Sequence, residues 1–322
     1  MKKIFCLVLA ALMLTLCLAG CSGNTRLRFV TGGEGGTYYA FGSVIAQHAT
    51  NNAGIQVTGV VGNGSKSNID ELNNKNAELA FCQSDVMAYA YAGVNLFDAP
   101  ITCFSTVCAL YTEQVQIVTL NPDIKTVADL EGKKVSVGAA GSGTYFNAVD
   151  ILSAYGIGDL DGDGKFTKID ATYQSFADSA DALKDGKIDA AFIVAGAPTT
   201  AVTDLAATRS VYLVSLDEAH IATLLAQSPY YAKCTIEKSV YNTPADVTTV
   251  GVGAVVLVRN DIPEDVVYKF VADIFDNYQN LTSSHAKYGE LSFEYATSIT
   301  SVPYHAGAAK YFTEKGYTVY TK

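Results

Sequence analysis

Short apolar, β-branched segments alternate along this chain with amphipathic segments, and glycine-rich loops separate many of them. The pattern predicts strands at 27–31, 55–61, 79–82, 114–120, 135–138, 190–194 and 250–258. It predicts helices at 37–50, 68–74, 83–91, 145–155, 180–185 and 263–278, and one that begins near 199. Strand–helix alternation of this kind indicates an α/β fold with largely parallel sheets.

The first 21 residues have the pattern of a bacterial lipoprotein signal. A basic head at 1–3 precedes an apolar run from Ile4 to Ala19, which ends in the sequence Leu18-Ala19-Gly20-Cys21. The run is too short for a comfortable membrane span, which disfavours the alternative of a permanent transmembrane anchor. We expect residues 1–20 to be removed and Cys21 to carry a lipid, so that the protein works outside the cytoplasmic membrane and is tethered to it.

The chain is acidic, with 32 Asp and Glu residues against 22 Lys and Arg and a net charge of −10. Such a chain lacks the basic patch that nucleic-acid binding requires. Its four arginines, Arg26, Arg28, Arg209 and Arg259, all lie outside the glycine-rich segments. Local sequence therefore does not suggest an arginine clamp on a ligand carboxylate.

Four cysteines follow the signal: Cys82, Cys103, Cys108 and Cys234. They are too few for a disulfide framework and lack metal-ligand spacing. A location outside the cytoplasm permits disulfides. The sequence leaves open one bridge, with Cys103–Cys108 as the closest pair, or buried free thiols.

Two glycine loops lie between a predicted strand and a predicted helix, at 35–39 and 141–144. In open α/β sheets, ligands bind beyond the carboxyl ends of the strands. Glycine lets the backbone approach a ligand, and the helix that follows presents free N–H groups and a positive dipole end. Two such loops can bind an anion without arginine and predict a cleft between two domains.

Four segments resemble the TAXI-type solute receptors of TRAP transporters. The first is the Gly-Gly-Thr-Tyr-Tyr-Ala-Phe-Gly stretch at 35–42, and the second runs from Leu79 to Asp85. The third comprises 110–118, 127–138 and 141–144, and the fourth comprises 184–192 and 196–198. Their order and spacing cover nearly all of the chain after the signal.

The resemblance implies a two-lobed periplasmic-binding-protein-like fold. Each lobe would be a mainly parallel sheet flanked by helices, and hinge strands at 114–120 and 250–258 would join the lobes. The expected divisions are the signal peptide at 1–20, the lipidated N-terminus and linker at 21–26, lobe I at 27–115, lobe II at 116–249, and the hinge strand with the return to lobe I at 250–322.

The resemblance also implies the function. Such receptors close on a small anionic solute, such as a dicarboxylate, a 2-oxoacid or an acidic amino acid like glutamate, and deliver it to a separate membrane permease driven by an ion gradient. A solute receptor of an ATP-driven importer is an alternative. The expected partners are therefore the solute, a TRAP-type permease and, through the lipid, the membrane.

The expected ligand-binding residues come from the glycine loops and the matching segments. They are Gly36, Thr37, Tyr38, Tyr39, Gly64, Ser65, Gln83, Ser84, Asp85, Gly141, Ser142, Gly143, Thr144, Ser175, Gly196 and Pro198. Helix capping alone also explains Thr37, Ser84 and Asp85. Glu113 is expected either to touch the ligand or to brace the hinge, and Glu34 would repel an anion or select an amine.

A separate motif at 159–170 has the spacing of an EF-hand-type calcium loop. Acids occupy positions 1, 3, 5 and 12, and glycine occupies position 6. The predicted ligands are Asp159, Asp161, Asp163, Lys165 through its backbone carbonyl, and Asp170. We expect a structural Ca²⁺ here, and no cofactor is expected for function. An acidic surface turn is the alternative, since position 12 is Asp rather than Glu.

An enzyme and a surface adhesin or sensor are the two alternative classes of function. An enzyme is disfavoured because none of the four histidines lies in a nucleophile or metal motif, and the chain has neither a Gly-x-Ser-x-Gly motif nor a phosphate loop. A surface adhesin or sensor lipoprotein would bind macromolecules without closing on a solute.

Overall fold

The computed structural model of the protein describes residues 26–322, so the predicted signal peptide and Cys21 lie outside the described part. The strands are β1 Arg26–Val30, β2 Gln56–Val60, β3 Leu79–Gln83, β4 Phe104–Thr119, β5 Lys134–Ser136, β6 Asp170–Thr172, β7 Ala190–Ala195, β8 Tyr212–Leu213, β9 Ala232–Ile236 and β10 Val247–Arg259.

The α-helices are α1 Thr37–Asn52, α2 Ser65–Asn73, α3 Ser84–Ala92, α4 Gly143–Ala154, α5 Phe176–Lys184, α6 Thr200–Ala206, α7 Glu218–Gln227, α8 Glu264–Asp276, α9 Phe293–Ala296 and α10 Ala306–Glu314. Short 3₁₀ helices occupy Val127–Leu130, Lys238–Val240, Tyr278–Asn280 and Ala286–Glu290.

The strands form one continuous sheet in the order β2-β1-β3-β10-β4-β7-β5-β6, and β8 and β9 are added beside β4 and β10. Strand β1 is parallel to β2 and β3, and β5 is parallel to β6 and β7. We call the first parallel group with its helices lobe I and the second lobe II. Strands β4 and β10 lie between the groups, antiparallel to each other and to their neighbours.

Strands β4 and β10 each belong to both lobes. Residues 254–258 of β10 pair with β3 in lobe I, and 247–251 pair with β9. Residues 114–119 of β4 pair with β7 in lobe II. The predicted strand at 114–120 thus begins much earlier, at Phe104. The expected parallel sheets are present within each lobe. The two hinge strands run between the lobes in opposite directions, so they are antiparallel to each other.

The core follows the two-residue period of the strands. In β10, Ala254, Val256 and Val258 pack on one face of lobe I with Phe270 of α8, while Val255 and Leu257 pack on the other face with helices α2 and α3. Lobe II likewise has an apolar cluster on each face of its sheet. Helices therefore cover both faces of both lobes. In such sheets, ligands bind beyond the carboxyl ends of the parallel strands.

The four cysteines of the described part are free thiols. Cys108 lies within β4 and Cys103 immediately precedes that strand, so about 17 Å of extended chain separates the closest pair. The structure thus has buried or half-buried thiols rather than a bridge. Between residues 26 and 322, no helix is long and apolar enough to cross a membrane.

Candidate functional site

A cavity of about 300 Å³ lies between the lobes, at the carboxyl ends of the strands. Lobe I contributes the loops after β1 and β2, the end of β3, and Glu113 of β4. Lobe II contributes the loops before α4 and α5 and the end of β7. The wall consists of Gly32, Gly33, Glu34, Gly35, Gly36, Thr37, Tyr38, Val61, Gly62, Asn63, Gly64, Ser65, Gln83, Glu113, Ala139, Ser142, Gly143, Thr144, Gln174, Ser175, Phe176, Ala177, Val194 and Ala195.

Four helices begin at this cavity, two from each lobe. The residues that precede the first turns of α1, α2, α4 and α5 all lie in its wall, and they are Gly36, Gly64, Ser142 and Ser175. The first N–H groups of a helix have no partner within the helix, and the helix dipole makes this end positive. The wall contains no lysine or arginine. Its anion-attracting groups are therefore backbone N–H groups.

The hydroxyl groups around the cavity hold the loops in place. Ser142 Oγ accepts a hydrogen bond from Tyr145 N, and Ser175 Oγ accepts one from Asp178 N, so both side chains cap their helices. Ser65 Oγ accepts from Gln83 N at 3.0 Å. The expectation that Thr37 caps α1 is wrong: Gly36 occupies the cap position, and no side chain caps the helix.

Direct contacts between the lobes surround the cavity. Thr37 Oγ1 donates to the Gly196 carbonyl across the cleft at 2.8 Å. Ala201 N donates to the Gly35 carbonyl at 3.1 Å, and Ser67 N donates to the Gly141 carbonyl at 3.1 Å. The lobes are therefore closed on each other.

The approach of the two lobes depends on Gly64. Its φ angle is +103°, which favours glycine, and an added β-carbon would lie 2.8 Å from Ser142 Cα of lobe II. A side chain here would strain the loop and also push the lobes apart.

At the back of the cavity, three oxygen-bearing side chains of lobe I have few partners. The Tyr38 hydroxyl and Gln83 Oε1 are buried and make no hydrogen bond. Glu113 is 2% exposed, and its carboxylate accepts a long hydrogen bond, 3.5 Å, from the Tyr111 hydroxyl and lies beside the Tyr38 hydroxyl and the Gln83 side chain. Burial raises the pKa of Glu113 to about 8. We call Tyr38, Gln83 and Glu113 the acceptor cluster, since Gln83 Oε1 and the Glu113 carboxylate are buried oxygens that can accept from a donor on the solute.

Ten of the sixteen predicted ligand-binding residues lie in the wall: Gly36, Thr37, Tyr38, Gly64, Ser65, Gln83, Ser142, Gly143, Thr144 and Ser175. The other six are absent from it: Tyr39, Ser84, Asp85, Gly141, Gly196 and Pro198. Gly141 and Gly196 lie beside the wall and use their carbonyls to join the lobes. Ser84 Oγ instead accepts from Gly253 N of β10, and Pro198 is exposed.

The sequence patterns did not single out several apolar wall residues, among them Phe176, Val194 and Ala139. Val194 lies at the carboxyl end of β7, a strand that was predicted. The rule that ligands bind beyond such ends would have pointed to it. Phe176 follows the cap residue Ser175, and only the fold brings it against Gly36 of lobe I.

The predicted calcium loop is exposed on lobe II, away from the cavity. Asp161 Oδ1 accepts hydrogen bonds from the N–H groups of Asp163 and Lys165, both at 2.9 Å, and Asp159 pairs with Lys168. Asp170 begins β6 and lies 3.5 Å from Lys134 Nζ. Within the described range, no three His, Cys, Asp or Glu side chains are grouped as a metal site needs. Calcium binding stays a prediction.

A match to a protein-family model spans both lobes and all residues of the cavity wall. Residues 29–316 match the model of the NMT1-like family. The chain belongs to the NMT1-like family. The match includes every wall residue and both crossing strands.

Solved structures of similar shape support the two-lobed assignment. MatC from Rhodopseudomonas palustris, solved with bound malate, is 14% identical over 84% of this chain and 92% of its own, with a TM-score of 0.58. Protein AF1704 from Archaeoglobus fulgidus is 12% identical over 91% and 97%, with a TM-score of 0.50. The predicted periplasmic-binding-protein-like α/β fold is confirmed.

Proposed function

We propose that this chain is an extracytoplasmic solute receptor that closes its two lobes on one small anionic solute and releases it unchanged. The observation that carries the proposal is the convergence of four helix N-termini on a closed cavity between the lobes. Backbone N–H groups at helix starts bind carboxylates and similar anions. The fold shared with malate-bound MatC is in keeping with this assignment.

The acceptor cluster refines the class of solute. A plain dicarboxylate would meet the helix starts with one carboxylate and the oxygens of Tyr38, Gln83 and Glu113 with the other. Buried acceptors need donors, and an unpaired one costs about 1–3 kcal/mol. An ammonium group supplies three N–H donors and a positive charge. Among dicarboxylates, 2-oxoacids and acidic amino acids, we therefore favour an acidic amino acid such as glutamate.

The resemblance to TAXI receptors supports a proposal for the partner and the location. The receptor would be held at the membrane by a lipid on Cys21 and would pass its solute to a TRAP-type permease. Reconstitution with the permease tests this step: uptake driven by an ion gradient supports the TRAP assignment, and uptake that requires ATP supports the ATP-driven importer instead.

A thermal-shift panel of dicarboxylates, 2-oxoacids and acidic or polar amino acids tests the function. A solute at 100 times its Kd should add about 2.7 kcal/mol of stability and raise the melting temperature. Calorimetry on each hit then gives stoichiometry, with one site expected. A panel without any hit, together with no co-purified small molecule by mass spectrometry, would overturn the proposal and favour the adhesin or sensor class.

A further inference from the structure

Another contact between the lobes lies outside the cavity wall and is fully buried. Asp85, in the first turn of α3 in lobe I, accepts a hydrogen bond from Asn147 Nδ2 of α4 in lobe II at 2.9 Å. Both residues have an exposed fraction of 0%. A polar pair without access to solvent must satisfy its hydrogen bonds internally.

Two oxygens in this pair are left over. Asp85 Oδ1 and Asn147 Oδ1 are both buried without a hydrogen-bond partner. The orientation of the Asn147 amide is set by its nitrogen, which donates to Asp85 and also to the Tyr231 hydroxyl at 2.8 Å. Tyr231 in turn donates to Asp150 Oδ2 at 2.9 Å. Both amide hydrogens are thus used, and Asn147 Oδ1 can only accept.

One added proton would satisfy both oxygens. We propose that Asp85 is protonated on Oδ1 in the closed protein and donates to Asn147 Oδ1, so that closure of the lobes takes up one proton. The carboxylic acid and the amide then form a ring of two hydrogen bonds, one in each direction. We call this pair the acid–amide clasp.

The charges around Asp85 favour its neutral form. The titratable groups that influence its charge are Asp150 of α4, Tyr230 and Tyr231 before β9, Tyr89 of α3, Cys82 of β3 and Glu113 of β4. All are acids or neutral, and none could supply a positive charge. Burial raises the pKa of Asp85 to about 7 and outweighs the Val86 N–H and the Asn147 amide, which favour the charged form.

Falling pH favours the closed form, because opening of the lobes lowers the pKa of Asp85. When the lobes separate, water reaches Asp85 and its pKa falls towards its ordinary value of about 3.9. Between that value and about 7, the closed form binds one proton more than the open form. Falling pH in this window therefore favours closure by up to about tenfold per pH unit. The contribution of the clasp is fully present below the open-state pKa and is lost as pH rises through about 7.

The test uses the ligand-free protein, so that a failed search for the solute and a failed clasp give separate results. Carbon-13 NMR of aspartate carboxyl groups would follow Asp85, identified by the resonance missing in Asp85→Asn. Small-angle scattering over the same pH range would follow lobe separation. We expect an Asp85 midpoint clearly above about 3.9 and at most about 7, and a radius of gyration that increases through that midpoint.

Two variants separate the clasp from a purely structural role. Asp85→Asn forms the same ring without a titrating group, so it should stay compact throughout the range. Asn147→Leu keeps the volume but removes the ring, so it should be expanded across the window. The proposal is overturned if Asp85 titrates near its ordinary pKa, or if the compactness of the wild type and of both variants responds to pH in the same way.

Discussion

Gln83 of lobe I occupies the space in which a side chain at Gly143 of lobe II would lie. A β-carbon added at Gly143 would be 1.8 Å from Gln83 Oε1 and 2.8 Å from Ser65 Oγ. The start of α4 therefore meets the end of β3 directly, and the missing side chain allows the N–H groups of α4 to reach the cavity.

Replacement of Gly143 by alanine should hinder closure of the lobes. Overpacking at a tight contact costs about 1–3 kcal/mol, which corresponds to about fivefold to 150-fold weaker solute binding. Calorimetry with the solute found by thermal shift measures this loss. Gly59→Ala is the control, because a β-carbon there would make only ordinary contacts, 3.5 Å from Ser43 Cα at the nearest. Equal affinities for the two variants would contradict the account of closure.

Local sequence was sufficient to predict that helix starts with glycine loops line the site. The loops before α1 and α4 contain glycine runs beside a helix start, and each such signal spans only a few residues. Ser142 caps its helix, as its sequence position suggests. Such features depend on neighbours in the chain, so the rest of the fold need not be known.

The grouping of Tyr38, Gln83 and Glu113 and the lobe contacts could not be predicted in this way. Thr37 and Gly196 are 159 positions apart, and only the crossing of β4 and β10 brings them together. Glu113 lies in a long, mostly apolar strand, where a single acid is compatible with a hinge role or a ligand role. The early part of β4 was missed because Ser105 and Thr106 interrupt the apolar pattern, although both are buried.

Loss of the Thr37 hydroxyl should weaken closure modestly. Thr37→Val removes the hydrogen bond to the Gly196 carbonyl and keeps the side-chain shape, while that carbonyl retains a bond from Thr199 Oγ1 at 3.1 Å. The net loss should therefore be near the lower end of about 0.5–1.5 kcal/mol, or about twofold to threefold in Kd. Thr37→Ser keeps the hydroxyl and should bind like the wild type; a larger loss in Thr37→Ser than in Thr37→Val would assign the effect to packing of the methyl group.

Calcium should stabilise lobe II if the loop at 159–170 binds it. Binding requires Asp159, Asp161 and Asp163 to turn towards one ion, and Ca²⁺ at 100 times its Kd would then add about 2.7 kcal/mol of stability. The measurement is a melting scan with Ca²⁺ and again with a chelator. Asp163→Asn should remove most of the shift, whereas Asp181→Asn, on the exposed face of α5, should not. An unchanged melting temperature in Ca²⁺ would show that 159–170 is an acidic turn.

Replacement of Glu113 by glutamine should discriminate between solutes with and without an amine. For an acidic amino acid, Glu113→Gln removes a charged partner of the ammonium group and should weaken binding by about 1.5–3 kcal/mol, or about tenfold to 150-fold. A plain dicarboxylate should lose little, because it carries no ammonium group with which the Glu113 charge could pair.

The pH dependence of this substitution provides a stricter test. The pKa of Glu113 is raised to about 8 in the empty cavity, and an ammonium group beside it would lower that pKa, so binding of an amino acid releases a proton below pH 8. The advantage of the wild type over Glu113→Gln should therefore grow as pH rises towards 8 and level off above it. The ratio of the two affinities isolates Glu113, because Asp85 is present in both proteins. A ratio that stays constant from pH 6 to 9 would show that Glu113 does not face the charged group of the solute.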